Sequence, residues 1–499
     1  METSGSSYSI FSTIFLITDL LIRIGLSTRV IMRRRSYGVS FAWLIVILLF
    51  PIFGAFIYLL FGENRISDRR AARIKDSSAH YQHWLETLEG RAPVNWQGYN
   101  IECRPLHNLA RRLTGLPAMD GNQLELLDTS DTIITSIIND IDQAQSTCHL
   151  QFYIWEEGGQ VDRVTDALMG AAERGVTCRL LLDDLGSRSF LASPTAKKMQ
   201  EAGIRIQTAL PAGLIKVFRA RIDIRNHRKV VIIDGKIAYT GSQNMADPRF
   251  FKKGTGVGSW VDVMVRIRGP VVETLAGTFI SDWFLETNSD RFEMRSLLED
   301  IDTVRRIADI HSPPLEGDVA VQVVPSGPGF APDAIHSMLL TTIYAARKQL
   351  ILTTPYFIPD EALLAALESA AFRGVEVTII IPAKNDSKLA EYGARARFEK
   401  LCEAGVKIYR FQDGFLHSKT ITVDGDFAMF GSVNLDMRSF WLNFETTLVI
   451  YDRDVCRDIQ TIQLRYIASS SRLDIDTFSQ RSVFEKFKEN AVLLIGPLL

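Results

Sequence analysis

Two histidines, His227 and His417, each stand two residues before a lysine, Lys229 and Lys419, and seven before an aspartate, Asp234 and Asp424. Each aspartate is followed by a glycine. Further on, Gly241-Ser242-Gln243-Asn244 matches Gly431-Ser432-Val433-Asn434, so His, Lys, Asp, Gly, Ser and Asn all recur at an offset of 190 residues. A lone His-x-Lys is usually incidental. A duplicated one with further positions in register is not an accident of composition.

On a strand, residues two apart share a face, so each His and Lys point the same way. The apolar runs behind them, VVII and TITV, read as buried strands that end in an Asp-Gly turn. Gly-Ser-x-Asn then follows a second short strand. Each half thus offers an imidazole, an ammonium, a hydroxyl and an amide at one edge, and joining the halves gathers two His and two Lys. That set suits phosphodiester chemistry. The lysines neutralise the non-bridging oxygens as charge builds, and one imidazole attacks phosphorus to form a covalent intermediate. The other protonates the leaving alcohol and deprotonates the incoming one. In-line displacement needs these groups on opposite sides, which a two-fold arrangement supplies. Lysine carries the positive charge, and no zinc or magnesium ligand set is visible, so no metal or other cofactor is expected.

The elements that must hold these residues form a tandem repeat. AAERGVTCRLLLDD (171–184) and SAAFRGVEVTIIIP (369–382) each read as a helix end, a helix-terminating Gly175 or Gly374, and a buried strand. HLQFYIW (149–155) matches QLILTTPYFI (349–358). Alternating helices and apolar strands predict an α/β fold of two lobes, with mixed or parallel sheets covered by helices, sharing one active-site cleft. The first lobe is expected over 106–310 and the second over 311–499, with a polar connector at 63–105.

Residues 1–62 read as membrane segments, about 8–27 and 39–62. Val39–Gly62 is 24 residues without a charge, enough for one spanning helix. The earlier segment carries Asp19 and Arg23, spaced to pair on one face, so it either spans with a paired ion couple or lies at the interface. Basic residues flank both segments, Arg29 and Arg33 to Arg35 after the first, Arg65, Arg69, Arg70, Arg73 and Lys75 after the second, a composition that attracts anionic lipid. The net charge of −2 excludes a generic polyanion binder, and no extended basic stretch speaks for nucleic acid. Five scattered cysteines without a CxxC pair speak against a disulfide framework. The remaining histidines, His80, His83, His107, His149, His311 and His336, have no such partners and read as structural, and Lys236 and Lys253 as solvated charge.

With these motifs in hand, the chain resembles the phospholipase D superfamily, whose signature is the duplicated His-Lys-Asp motif. It is closer still to the bacterial cardiolipin synthases of the long, two-hydrophobic-segment type. Ile224 to Lys229, TGSQNM (240–245), DPRFF (247–251) and GSVNLDMRSFWLNFE (431–445) carry the likeness. The resemblance implies transfer of a phosphatidyl group from one phosphatidylglycerol to another, giving cardiolipin and glycerol through a phosphohistidine. It implies His227 as nucleophile and His417 as acid/base, though the residues alone do not order them. Lys229, Lys419, Asn244 and Asn434 would bind phosphate, with Ser242 and Ser432 supporting that network. The family also places an acidic residue downstream of each histidine to orient it: Asp262, 35 residues after His227, and Glu445, 28 after His417. Asp234 and Asp424 belong to the catalytic signature but read as turn residues. Phospholipid and membrane are the expected partners, nucleic acid is not, and the residues carry no signal for an oligomer. The family location is the bacterial inner membrane, multi-pass, with the catalytic part on the cytoplasmic face. The rival readings are a hydrolase releasing phosphatidic acid, a tethered nuclease and an inactive scaffold.

Overall fold

The computed structural model describes residues 3–33, 37–63, 84–88, 90–211, 221, 223–286, 310–329 and 333–495. His80 and His83, and the basic stretch expected at 65–75, lie outside these. The chain divides into two compact units, one holding the residues up to 68 with 212–223, the other the repeat.

In the N-terminal unit, α1 (Thr3–Met32) is followed by α2 (Tyr37–Leu49) and α3 (Pro51–Phe61). The single helix expected over 39–62 is therefore corrected to a hairpin. Proline has no N–H to continue α2 and steers the residue before it out of the helical region, and Phe50 adopts φ −129°, ψ 71°. The rings of Trp43 and Tyr58 meet at 5.3 Å, whereas a continuous helix would hold them about 22 Å apart. Gly54 permits the fold-back, since a Cβ there would sit 2.5 Å from the Val46 carbonyl oxygen. Glu63 ties the end of the hairpin to α1 by accepting from Arg29 at 2.6 and 2.8 Å and from the Tyr58 hydroxyl at 2.9 Å. Asp19 and Arg23 pair within α1 at 2.8 Å, as their spacing predicts. Among the described residues no helix is both long and apolar enough to cross a membrane.

In the repeat unit the first half contributes β1 (Met119–Leu127), β2 (Thr147–Phe152), β3 (Thr177–Asp183), β4 (Arg205–Ala209), β5 (Arg225–Asn226), β6 (Val230–Ile233), β7 (Ile237–Gly241), β8 (Trp260–Val261) and β9 (Met264–Arg268). The second contributes β10 (Val319–Ser326), β11 (Gln349–Thr353), β12 (Phe357–Ile358), β13 (Glu376–Pro382), β14 (Lys407–Phe411), β15 (Phe415–Leu416), β16 (Thr420–Val423), β17 (Phe427–Gly431), β18 (Leu435–Asp436), β19 (Asn443–Tyr451) and β20 (Ser470–Arg472). In each half three strands run parallel, β2-β3-β4 and β11-β13-β14, and continue through an antiparallel series, β6-β7-β9-β1 and β16-β17-β19-β10. The two series join where β1 pairs antiparallel with β10, so one mixed sheet runs through both halves.

Helices cover both faces of the central strands, and every residue of β2, β10 and β19 is buried, the polar ones included. Gly175 and Gly374 end their helices in the left-handed region, at φ 88° and 87°, where a side chain would be strained. Val265, Phe279, Val321, Leu448 and Ile450 pack into a core shared by the halves. The helix Cys103–Thr114 buries Cys103, Leu106 and Ala110 among residues of the second half. Part of the expected connector enters the shared core too, through Trp84 and Leu88.

Candidate active site

Two short strand pairs outside the main ladder place the histidines. β5 runs parallel to the start of β19, and the His227 N–H donates to the Phe444 carbonyl at 2.9 Å. β15 runs parallel to β8, and the His417 N–H donates to the Val261 carbonyl at 2.8 Å. Each histidine thus leaves its strand beside the residue that follows its partner strand's carbonyl. For His227 that residue is Glu445, whose carboxylate lies 2.8 Å from Nδ1; for His417 it is Asp262, at 2.7 Å. The pairing is crossed. Sequence order had coupled Asp262 to His227 and Glu445 to His417; the fold exchanges them, because each histidine is clamped to the other half's strand.

The serines serve the carboxylates. Ser432 Oγ donates to Glu445 at 2.5 Å and Ser242 Oγ to Asp262 at 2.6 Å, so each hydroxyl supports the acid that faces a histidine. Lys229 Nζ donates to its neighbour His227 carbonyl at 2.7 Å, and Lys419 to that of His417. Each ammonium keeps two further donors. Asn244 accepts from the Ile154 N–H through its amide oxygen at 3.3 Å, leaving its NH₂ group unengaged by that bond. Asn434 is buried and its amide oxygen has no partner among the described residues.

Burial dominates the electrostatics. It pushes the imidazole pKa of His227 down to about 4 and of His417 to about 3, with the lysines adding to the push and the facing carboxylates opposing it. It also pushes Lys229 down to about 8 and Lys419 to about 7. Burial alone would raise the carboxyls of Asp262 and Glu445, but the facing histidine and lysine charges hold both below their ordinary values. Each Nδ1 faces a carboxylate, which favours the tautomer that keeps Nδ1–H on that carboxylate and leaves the lone pair on Nε2. An arriving phosphodiester anion offsets the lysine charge that depresses the imidazoles, which lets one of them take up the proton an acid catalyst needs.

Several supporting residues carried no recognisable pattern in the sequence. Arg228, between His and Lys, is buried; it donates to the Glu445 carbonyl at 3.0 Å and the Ser326 carbonyl at 3.2 Å and pairs with Asp282. Asp183 accepts from the Asn226 N–H at 2.9 Å, fixing β5 from the end of β3. Tyr153 meets the His227 ring edge-on at 5.2 Å, and Trp260 lies 4.3 Å from the His417 ring. Of the remaining described histidines, His107 bonds Gln322, His149 stacks on Phe279 and His336 pairs with Asp360.

Asp234 and Asp424 lie outside the cluster, at the far ends of β6 and β16. Both adopt positive φ, 51° and 55°. Asp234 accepts from the N–H groups of Gln145, Ser146 and Thr147, and Asp424 from those of Arg347, Lys348 and Gln349. Each signature aspartate thus pins the turn that enters the first parallel strand. Asp234→Asn, which removes charge from three such bonds, is expected to cost about 1–3 kcal/mol of stability and to change turnover per folded molecule by less than about threefold. The folded-state pKa of Asp234 is lowered, chiefly by those backbone bonds acting against burial. Its contribution is therefore present above the unfolded carboxyl pKa and fades as pH falls through the folded value. Thermal unfolding and single-turnover rates of the variant measure both effects; a hundredfold loss of turnover in folded protein would put Asp234 in the chemistry.

Residues 137–283 and 339–465 match the model of the family described as "Cardiolipin synthase, PLD-like domain", and residues 13–63 match "Phospholipase_D-nuclease N-terminal". The chain is 43% identical over 498 residues to a cardiolipin synthase A of Serratia proteamaculans and 42% identical to one of Yersinia pseudotuberculosis, each alignment covering 99% of both chains. Its fold is similar to the crystal structure of a phosphatidylserine synthase from Haemophilus influenzae, with TM-score 0.58 and 18% identity, over 80% of this chain and all of that one.

Proposed function

The chain belongs to the cardiolipin synthase family of phospholipase D-like enzymes, and from that premise we propose that His227, His417 and their lysines carry phosphatidyl transfer between two phosphatidylglycerol molecules. The chain is a phosphatidyltransferase that makes cardiolipin. The observation that carries the assignment of residues is the crossed pair of imidazoles, each facing a buried carboxylate of the other half through Nδ1, beside two buried lysines.

In the first step His227 Nε2 attacks the phosphorus of the donor. The bond from phosphorus to the glycerol oxygen breaks, and His417 gives that oxygen a proton. Lys229 and Lys419, with Asn244 and Asn434, hold the non-bridging oxygens as charge builds. In the second step His417 takes the proton from a hydroxyl of the acceptor's glycerol headgroup, that oxygen attacks phosphorus, and His227 leaves. Net charge and proton count are restored with each cycle. The order of the histidines is supported by exposure: His227 is 8% exposed and His417 2%, and the nucleophile must meet phosphorus directly.

The N-terminal unit is assigned to the membrane. Its outer surface carries Phe11, Phe15, Leu21, Phe41, Phe50 and Phe53, each more than half exposed, an apolar density that soluble surfaces do not carry. Because α2 and α3 rise only about 20 and 17 Å, the hairpin reads as entering the bilayer and returning to the same face. The catalytic part is assigned to the cytoplasmic side on the basic residues 65–75.

Purified protein in mixed micelles with phosphatidylglycerol and chelator is expected to release cardiolipin and glycerol in equal amounts. Phosphatidic acid without cardiolipin would make it a hydrolase instead.

A further inference from the structure

The two halves differ in length between their Asn and acidic site residues. Asn434 and Glu445 are 11 residues apart, Asn244 and Asp262 are 18. The second half crosses this span with a short helix, Met437–Trp441. The first half uses the longer loop DPRFFKKGTGVGS, and the structure gives that insertion a place. Gly258 meets Gly414 across the halves, where a Cβ on Gly258 would lie 2.9 Å from the Gly414 Cα. Phe251 packs edge-on against Trp260 at 5.0 Å, Trp260 against Phe415 at 4.9 Å, and Trp260 covers the His417 ring at 4.3 Å. Among the described residues, the ring that meets His227 is that of Tyr153.

Besides the backbone bond from the Phe415 N–H to the Ser259 carbonyl at 2.9 Å, a side-chain ion pair fastens the loop to the other half. Lys252 Nζ lies 3.0 Å from Asp386 Oδ2 and 5.2 Å from the Trp260 ring centre. Asp386 is held in turn by the Tyr356 hydroxyl, which donates to Oδ1 at 2.7 Å. Lys252 adopts φ 47°, a conformation that a lysine rarely keeps unless its surroundings hold it. Its side chain is 39% exposed while that of Asp386 is 7% exposed. An ion pair so open to water is weak, which suits a fastening that must release to admit a lipid and let a larger one leave.

We propose that this insertion, latched by Lys252 to Asp386, roofs His417 and so directs the phosphoenzyme to a lipid alcohol rather than to water. The proposal rests on the transfer reading above. In the second half-reaction the bond between phosphorus and His227 Nε2 breaks, a P–O bond forms, and the attacking O–H gives its proton to His417. Water and a glycerol hydroxyl satisfy that balance equally, so selection must come from what reaches the space beside His417. An apolar roof of Phe251, Trp260 and Phe415 disfavours an isolated water there, whereas an acceptor lipid brings its own hydroxyl. Lys252 and Asp386 touch no reacting atom; they are positioning residues.

The test uses the full chain in mixed micelles of phosphatidylglycerol and reads phosphatidic acid against cardiolipin. Lys252→Gln and Asp386→Asn are each expected to raise that ratio about fivefold, the weight of a partly exposed ion pair. Lys252→Arg should keep the wild-type ratio, and the exchange of Lys252→Asp with Asp386→Lys should restore it. Total phosphatidylglycerol consumed should fall less than about threefold, since transition-state contacts are untouched. Asp386→Asn keeps the Tyr356 bond, so it folds even if the lysine variant does not. An unchanged ratio, or parallel loss of both products, would overturn the proposal. Wild-type protein that makes no cardiolipin would instead overturn the transfer reading.

Discussion

His227→Asn is expected to lower phosphatidyl transfer by at least about 10⁴-fold, equivalent to about 5.5 kcal/mol of transition-state stabilisation. The asparagine keeps polarity and size but has no lone pair able to bond phosphorus. His417→Asn should be as damaging with phosphatidylglycerol, because the glycerol oxygen then leaves unprotonated. The two separate on an activated donor whose leaving group needs no proton. There His417→Asn should release one burst of leaving group and stall as a phosphoenzyme, while His227→Asn should show no burst. A burst from His227→Asn and none from His417→Asn would reverse the roles; bursts from neither would remove the covalent step.

The crossed carboxylates carry the second large effect. Glu445→Gln and Asp262→Asn should each cost about 10²–10⁴-fold. An amide in place of the carboxylate can donate to Nδ1, which moves the ring proton to Nε2 and removes the lone pair that faces phosphorus or the alcohol. Glu445→Gln should behave like His227→Asn, without a burst on the activated donor, and Asp262→Asn like His417→Asn, with one. The bonds of 2.8 Å from His227 to Glu445 and 2.7 Å from His417 to Asp262 require that assignment. Pairing by sequence order requires the opposite. The double variant His227→Asn with Glu445→Gln should be no slower than His227→Asn alone, since both remove the same function.

What could be read in the sequence was what is local. The His-x-Lys spacing, the Asp-Gly turns and the Gly-Ser-x-Asn segments follow from strand periodicity and turn chemistry, and β6, β7, β16 and β17 lie where the apolar runs predict them. The parallel strands behind Gly175 and Gly374 were legible for the same reason. The crossed pairing was not, because it depends on two-residue strands, β5 and β8, too short to leave a periodic trace and joined to partners far along the chain. Nor did apolar patterning tell that β1 and β10 would join the halves into one sheet, since an edge and a centre look alike in buried strands. In the N-terminal unit the hydropathy of Val39–Gly62 suggested one long helix, and Pro51 decided against it. Membranes tolerate proline in helices; here Phe50 ahead of it leaves the helical region, and the hairpin closes on Trp43 and Tyr58. Trp260 and the loop before it were visible as a length difference, but only the fold places them over His417.

The most direct test of a single shared site with crossed acids is to trap the intermediate. Enzyme mixed with an activated phosphatidyl donor, quenched in alkali and digested, is mapped for phosphohistidine. The account predicts label on His227, not more than one group per chain, retained or increased in Asp262→Asn and His417→Asn and lost in Glu445→Gln. Label on both histidines, or label that survives Glu445→Gln and disappears in Asp262→Asn, would contradict it.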